Sequence, residues 1–205
     1  MDIQLLRVTQ NPFVLISGAY RLCYASMPKD NFDDEAKFIE ACIRNRHTSP
    51  LEHCSATFLV TGISRTCSHQ LVRHRIASYT QESQRYVDSK GSSYTIPGSV
   101  NQHKELCEQF QRALTLCELT YNDLVAAGVK KEDARFILPQ AIQTKIMVTM
   151  NFRALRNFLD LRLDKHAQWE IRSLAFEMLN QLLKFAPEIE CVFKDLIIKH
   201  SPAEK

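Results

Sequence analysis

Between Ile142 and Asn151 the side chains alternate. Ile142, Thr144, Ile146, Val148 and Met150 fall on one side of an extended chain, and Gln143, Lys145, Met147, Thr149 and Asn151 on the other. A β-strand with one covered face turns that alternation into burial. The period then switches. Residues of roughly 152–165, 167–185 and 188–199 carry apolar side chains at helical spacing, so a strand passes directly into three consecutive helices. This change of period points to an α+β fold: a single domain over residues 1–205, with a small central β-sheet covered by helices.

The remaining elements fit that class. Residues 3–8 read as a short strand, and Asp33 or Asp34 can cap a helix to about Arg44 with Phe38, Ile39, Cys42 and Ile43 on its buried side. Ala56 to Thr61 is rich in β-branched and aromatic residues and meets Gly62, which predicts a strand ending in a turn. Ser64 is placed to cap a helix carrying Cys67 and Leu71 into the arginine-rich segment that follows; on it Gln70, Arg73 and His74 share a face. Tyr86 onward and Ser93 to Ile96 look extended. Ser99 opens a long amphipathic helix through Leu106, Phe110, Leu114, Cys117, Tyr121 and Leu124, closed by Gly128, and a short helix to Leu138 stops at Pro139.

A chain of 205 residues, 45% hydrophobic, has material for a real core, and no repeat, low-complexity tract or linker-like shift interrupts it. A net charge of +3 is too small to imply nucleic acid or membrane as a partner. The seven cysteines are odd in number and form no C-x-x-C pair, which fits reduced thiols in a cytoplasmic protein. Residues 1–7 lack a secretory pattern, and no apolar run approaches bilayer length.

Only five glycines are present, with neither G-x-G-x-x-G nor G-x-x-x-x-G-K, so a phosphate-bearing ligand has to be gripped by side chains. Residues 73–86 supply them: Arg73-His74-Arg75, then Ser78, Gln81, Ser83, Arg85 and Tyr86, with apolar Leu71, Val72 and Ile76 around the triplet. An exposed charge contributes about 0–1 kcal/mol through an ion pair, whereas a guanidinium forked onto phosphate gains roughly 1.5–3 kcal/mol per bond. A second group follows in Asn151, Arg153, Asn157 and Arg162, with Arg135 amid apolar neighbours. On a helix Arg153 and Asn157 project together, while Arg162 is turned roughly 140° from Asn157. That separation predicts that Arg162 serves a second ligand or that the site is shared between chains.

Other chemistries are open on the residues alone. Arginines with Tyr79, Tyr86 and Phe152 could grip single-stranded nucleic acid. His47, His53, His69 and His74 with Cys54 and Cys67 raise metal binding, though none has H-E-x-x-H or C-x-x-C spacing, and the expectation is no metal. Cys67 with His74 is a conceivable nucleophile pair, but Cys67 sits where the helix wants a core residue.

Arg73-His74-Arg75, seven residues, then Ser83 resembles the R-H-R-x7-S signature of flavin-dependent thymidylate synthases, extended by Ser78, Arg85 and Tyr86. His47-Thr48-Ser49-Pro50-Leu51-Glu52-His53 is similar to the family's upstream element. Ala134-Arg135-Phe136-Ile137-Leu138-Pro139, Asn151-x-Arg153, Asn157-Phe158-Leu159-x-Leu161-Arg162 and His166-Ala167-Gln168-Trp169-Glu170-Ile171 are similar to its C-terminal half. The resemblance covers about residues 45–175 in order.

The resemblance implies a homotetramer with active sites shared between subunits. It also implies reductive methylation of dUMP to dTMP, with methylenetetrahydrofolate as carbon donor, FAD as hydride carrier and NADPH as reductant. By position, Ser49, Arg73, His74, Arg75, Gln81, Asn151, Arg153 and Asn157 would contact FAD. Gln70, Arg73, Gln81, Ser83, Arg85, Arg135 and Arg162 would contact dUMP, and His47 and Tyr86 would lie on the folate side. Arg162 would be the catalytic residue, stabilising uracil ionised at N3. Gln81 stands where many members carry Glu.

Overall fold

A computed structural model describes residues 1–201. In chain order the elements are β1 (Asp2–Val8), α1 (Pro12–Cys23), α2 (Phe32–Arg44), a 3-10 turn (Ser49–His53), β2 (Ser55–Ser64), α3 (Arg65–Leu71), β3 (Ser78–Gln81), α4 (Gly98–Asn101), α5 (Lys104–Ala126), α6 (Lys131–Ala134), a 3-10 turn (Arg135–Ile137), β4 (Gln143–Asn151), α7 (Phe152–Arg162), α8 (Trp169–Phe185), a 3-10 turn (Pro187–Ile189) and α9 (Glu190–His200). The strands form one sheet in the order β1-β2-β4-β3. The α+β class with a small sheet is therefore as expected.

Strands β2 and β4 run antiparallel: Phe152 N donates to Cys54 O at 2.8 Å, and Arg65 N to Ile142 O at 2.9 Å. Along β4 the expected alternation holds, with Thr144, Ile146, Val148 and Met150 buried. Strand β2 does not stop at Gly62 but continues to Ser64. Gly62 has φ +71, and a Cβ there would meet Met1 N at 3.3 Å, so glycine lets the strand pass where a side chain would both strain and crowd it.

The chain divides into two compact units that interleave along the sequence. One holds residues 3–59, 73–79 and 147–201. Its apolar interior is built from Ile16 and Tyr20 of α1, Ile39, Cys42 and Ile43 of α2, Phe152, Leu155, Phe158 and Leu159 of α7, Leu174, Met178 and Leu182 of α8, and Val192 and Phe193 of α9. Phe38, expected there too, is half-buried. The cap of α2 is Asn31, whose side chain accepts from Asp34 N at 3.2 Å, so Asp33 and Asp34 occupy the first turn and favour its positive end. Between α1 and α2 lies a buried ion pair. Glu35 accepts from Arg21 Nη2 at 2.6 Å and from Ser17 Oγ at 2.6 Å, and Arg21 lies 3.8 Å from the Phe38 ring centre.

The other unit holds residues 1–2, 60–72 and 80–146. Cys107, Leu114 and Tyr121 recur at seven-residue spacing on the buried face of α5. Leu106 lies off that stripe and is exposed, contrary to expectation, and a short break separates α4 from α5. Gly128, at φ +87, follows α5 in the left-handed C′ position that the sequence predicts. Among the described residues no helix is long and apolar enough to cross a membrane.

Candidate functional site

Helix α7 organises the site in its unit. Asn151 ends β4 and caps α7, its side-chain Oδ1 accepting from Ala154 N at 2.8 Å. Occupied in this way, the Asn151 carboxamide has its Nδ2 hydrogens left to offer a ligand. Beyond it Arg153, Asn157 and Leu161 follow at four-residue spacing, which stacks them on one helix face. That face borders a cavity of about 750 Å³, lined also by Glu52 from the 3-10 turn, by Arg73, His74 and Arg75, and by Arg162.

One expectation is refined here and one corrected. Arg162 shares one cavity with Arg153 and Asn157, although the helix turns it away from them. A cavity this wide spans more than one helix stripe, and Arg162 reaches back so that its Nε donates to His74 Nε2 at 3.0 Å. The three side chains therefore border one cavity within this chain, with Arg162 placed to serve a second ligand beside the one at Arg153 and Asn157. Gln70, Arg73 and His74 do not share a helix face, because α3 ends at Leu71 and the triplet lies beyond it.

The charges in the cavity are unbalanced. Arg153 is paired with Glu52 through Nη1 and Oε1. Among the described residues Arg73, Arg75 and Arg162 face no carboxylate in an ion pair. Three guanidiniums without counter-charge, beside the amides of Asn151 and Asn157, form a cradle for an anion with several oxygens. His74 adds no charge. Its ring stands edge-on to buried Phe158, centroids 5.0 Å apart and planes at 84°. Burial, and then the charge of Arg162, hold its imidazole below the ordinary histidine range. The His74 backbone carbonyl accepts from Tyr79 Oη at 2.9 Å, and burial pushes that phenol up to about 12.

Gln70, Gln81, Ser83, Arg85 and Arg135 belong to the unit built around α5. Within it Arg85 Nε lies 3.3 Å from Glu132 Oε2, and Arg135 Nε donates to the Glu132 carbonyl at 3.1 Å. Ser83 Oγ accepts from Arg85 N at 3.3 Å. Gln81 closes the short strand β3, which the sequence did not announce, and its Nε2 donates to Ser68 Oγ at 3.0 Å and Thr144 Oγ1 at 3.2 Å. Ser68 spends its own proton on the Arg65 carbonyl at 3.0 Å, so toward Gln81 it can only accept. This chain of bonds turns the Gln81 amide nitrogen inward and assigns its oxygen the free acceptor role.

Of the remaining expected residues, Ser49 and His47 are exposed and do not line the cavity; His47 Nδ1 pairs with Tyr24 Oη at 2.8 Å. Tyr86 is exposed beside Arg85. Sequence reasoning assigned no role to Glu52, Leu161 or Ile76, all of which line the cavity. All three lie within the segments that carry the family resemblance, so the signal was available. Cys67 is fully buried, and burial pushes the Cys54 thiol up to about 11. Among the described residues no three His, Cys, Asp or Glu side chains gather as a metal site.

A family model described as thymidylate synthase complementing protein matches residues 4–188. The flavin-dependent thymidylate synthase of Thermococcus onnurineus is 51% identical over 194 residues, covering 90% of this chain and 79% of that protein. That of Geobacter sulfurreducens is 47% identical over 197 residues, covering 92% and 85%. Among solved structures, the UMP/dUMP methylase PolB from Streptomyces cacaoi, bound with 5-Br dUMP, superposes with a TM-score of 0.84 at 27% identity, covering 95% of this chain and 94% of that one.

Proposed function

The chain belongs to the flavin-dependent thymidylate synthase family, and from that membership we propose that it carries out the reductive methylation of dUMP. In this reaction dUMP, methylenetetrahydrofolate, NADPH and a proton give dTMP, tetrahydrofolate and NADP⁺. The observation that carries the reading is the trio of uncompensated guanidiniums, Arg73, Arg75 and Arg162, in one cavity with Asn151 and Asn157. It suits a nucleotide cofactor in a chain that has no glycine-rich phosphate loop.

FAD fits these residues. Arg73, Arg75 and Arg153 would meet its phosphates, and the amides of Asn151 and Asn157 would meet polar edges of the cofactor. When bound, FAD supplies hydride-transfer chemistry between NADPH and the incoming one-carbon unit. Ser49 and His74 complete the proposed cofactor contacts, and Arg73 and Gln81 are proposed to touch both ligands. Gln70, Ser83, Arg85 and Arg135 are proposed for dUMP, and His47 and Tyr86 for the folate side.

The chemistry of this chain rests on charge. Uracil C5 becomes nucleophilic when negative charge enters the ring, and a guanidinium beside the base favours the N3-ionised form. Arg162 is proposed for that task. It stays protonated and acts as an electrostatic stabiliser, so no enzyme nucleophile is needed. The buried, high-pKa thiol of Cys54 is in keeping with this. A homotetramer with sites shared between subunits, in the cytoplasm, completes the proposal; light scattering of the purified protein measures the assembly.

The deciding assay is dTMP formation from dUMP, methylenetetrahydrofolate and NADPH, with and without added FAD. Flavin-dependent product is the expected result. Absence of product with all four present, in folded protein that binds FAD, would overturn the assignment.

A further inference from the structure

We propose that His74 is a positioning residue for Arg162: its imidazole holds the guanidinium by one edge and leaves the other edge to the substrate. This rests on the dUMP reading above but concerns a bond within the protein itself. Arg162 carries only donors, so the 3.0 Å contact from its Nε requires His74 Nε2 to be an acceptor. The imidazole is therefore neutral, with its proton on Nδ1. With Nε engaged, both Nη groups of Arg162 keep their hydrogens for a ligand in the cavity.

The imidazole is itself braced. Phe158, fully buried, meets the ring edge-on, and the Tyr79 hydroxyl ties down the His74 carbonyl. Arg162 is the last residue of α7, where a long side chain would otherwise sample many rotamers. A fixed acceptor at its Nε selects one orientation before substrate arrives, which is where an electrostatic stabiliser gains most.

The charged and titratable groups around His74 are Arg73, Arg75, Arg153 with its partner Glu52, Arg162 and Tyr79. Apart from Glu52 the charges are positive, and burial adds to their effect, so the neutral ring is the stable form at neutral pH. Protonation at Nε2 would remove the acceptor and set a cation against Arg162. Acid conditions then release Arg162 in a one-proton step below the ordinary histidine range.

The first test uses wild-type protein alone. Nitrogen-15 NMR of labelled histidine is expected to show His74 as the Nδ1–H tautomer at neutral pH, and a charged ring or the Nε2–H tautomer would overturn the proposal. The second compares variants loaded with FAD. In His74→Gln, Gln offers an oxygen near the Nε2 position, so per bound flavin it should turn over faster than a variant with no acceptor there. In His74→Phe, the ring shape survives without an acceptor. There kcat is expected to fall roughly tenfold to a hundredfold, with weaker dUMP binding and loss of the acid limb of the pH profile. Equal turnover and dUMP affinity in both variants, with equal flavin content, would overturn the inference. If the wild type instead makes no dTMP, the assigned reaction fails, and the NMR result still judges the His74–Arg162 pair.

Discussion

Arg156 closes both of its Nη groups onto Asp195, at 2.8 and 2.7 Å, and also donates to the Val192 carbonyl. Arg153, one turn earlier on α7, faces the large cavity instead. Two arginines on one helix thus serve different ends: Arg156 ties α7 to α9, and Arg153, paired with Glu52, lines the cavity. Arg156→Ala should cost about 1–2 kcal/mol of stability, discounted because Asp195 is half exposed. Urea denaturation measures this. Flavin affinity should not change, and a large loss of flavin binding in the folded variant would contradict the division.

Arg73 and Arg75 have no carboxylate to compensate them among the described residues, so replacing them removes attraction for an anion without orphaning a partner. The double variant Arg73→Ala, Arg75→Ala should weaken FAD binding at least about a hundredfold, since each charge-assisted bond is worth roughly 1.5–3 kcal/mol. Flavin fluorescence titration reads the affinity. Retention of flavin at wild-type strength would remove both residues from the cofactor grip.

Glu35 makes stability depend on acid. Its bond from Arg21 outweighs burial and holds the carboxyl at about 2, well below its unfolded value of 4.5. The unfolded chain therefore takes up the proton first. The stabilisation is full above the unfolded value and is lost as pH falls toward 2. It amounts to about 3 kcal/mol at one pKa unit per 1.36 kcal/mol. Urea midpoints of the wild type should fall across this window, and Glu35→Gln should flatten that part of the profile. An unchanged slope in the variant would show that other carboxylates carry the effect.

Gln81→Glu tests the hydrogen-bond chain through Ser68. A carboxylate cannot donate to Ser68 Oγ or Thr144 Oγ1, so Ser68 must turn its proton away from the Arg65 carbonyl. The loss should be about 1–3 kcal/mol at neutral pH, and smaller in acid, where a protonated Glu regains one donor. Thermal unfolding at two pH values reads it. Identical Tm values for variant and wild type would mean that the amide orientation is not enforced.

Regular periodicity made part of the fold legible. Strand β4 and helices α7 to α9 announce themselves because their buried residues recur at periods of two and 3.6. Helix α1 was not predicted, since Asn11 sits in a left-handed conformation and its side chain makes no cap bond, leaving Pro12 as the main start signal. Strand β3 is four residues long with none fully buried, so alternation had no apolar side to mark. The end of α3 at Leu71 is likewise unmarked by Gly or Pro. At the site, residue types told of an anion cradle, but helix spacing did not show Arg162 reaching back into the same cavity, because it treats a side chain as a short spoke. The bond to His74 and the facing of Gln81 depend on contacts made after folding, which no spacing encodes.

Asn151 does two jobs with one carboxamide. It closes the first turn of α7 and walls the cavity, so one side chain answers for the start of a helix and for the shape offered to a visitor. The two jobs fall on different atoms: Asp or Ser there would keep the helix start and lose the amide hydrogens left for a ligand, whereas a side chain with no acceptor would lose both.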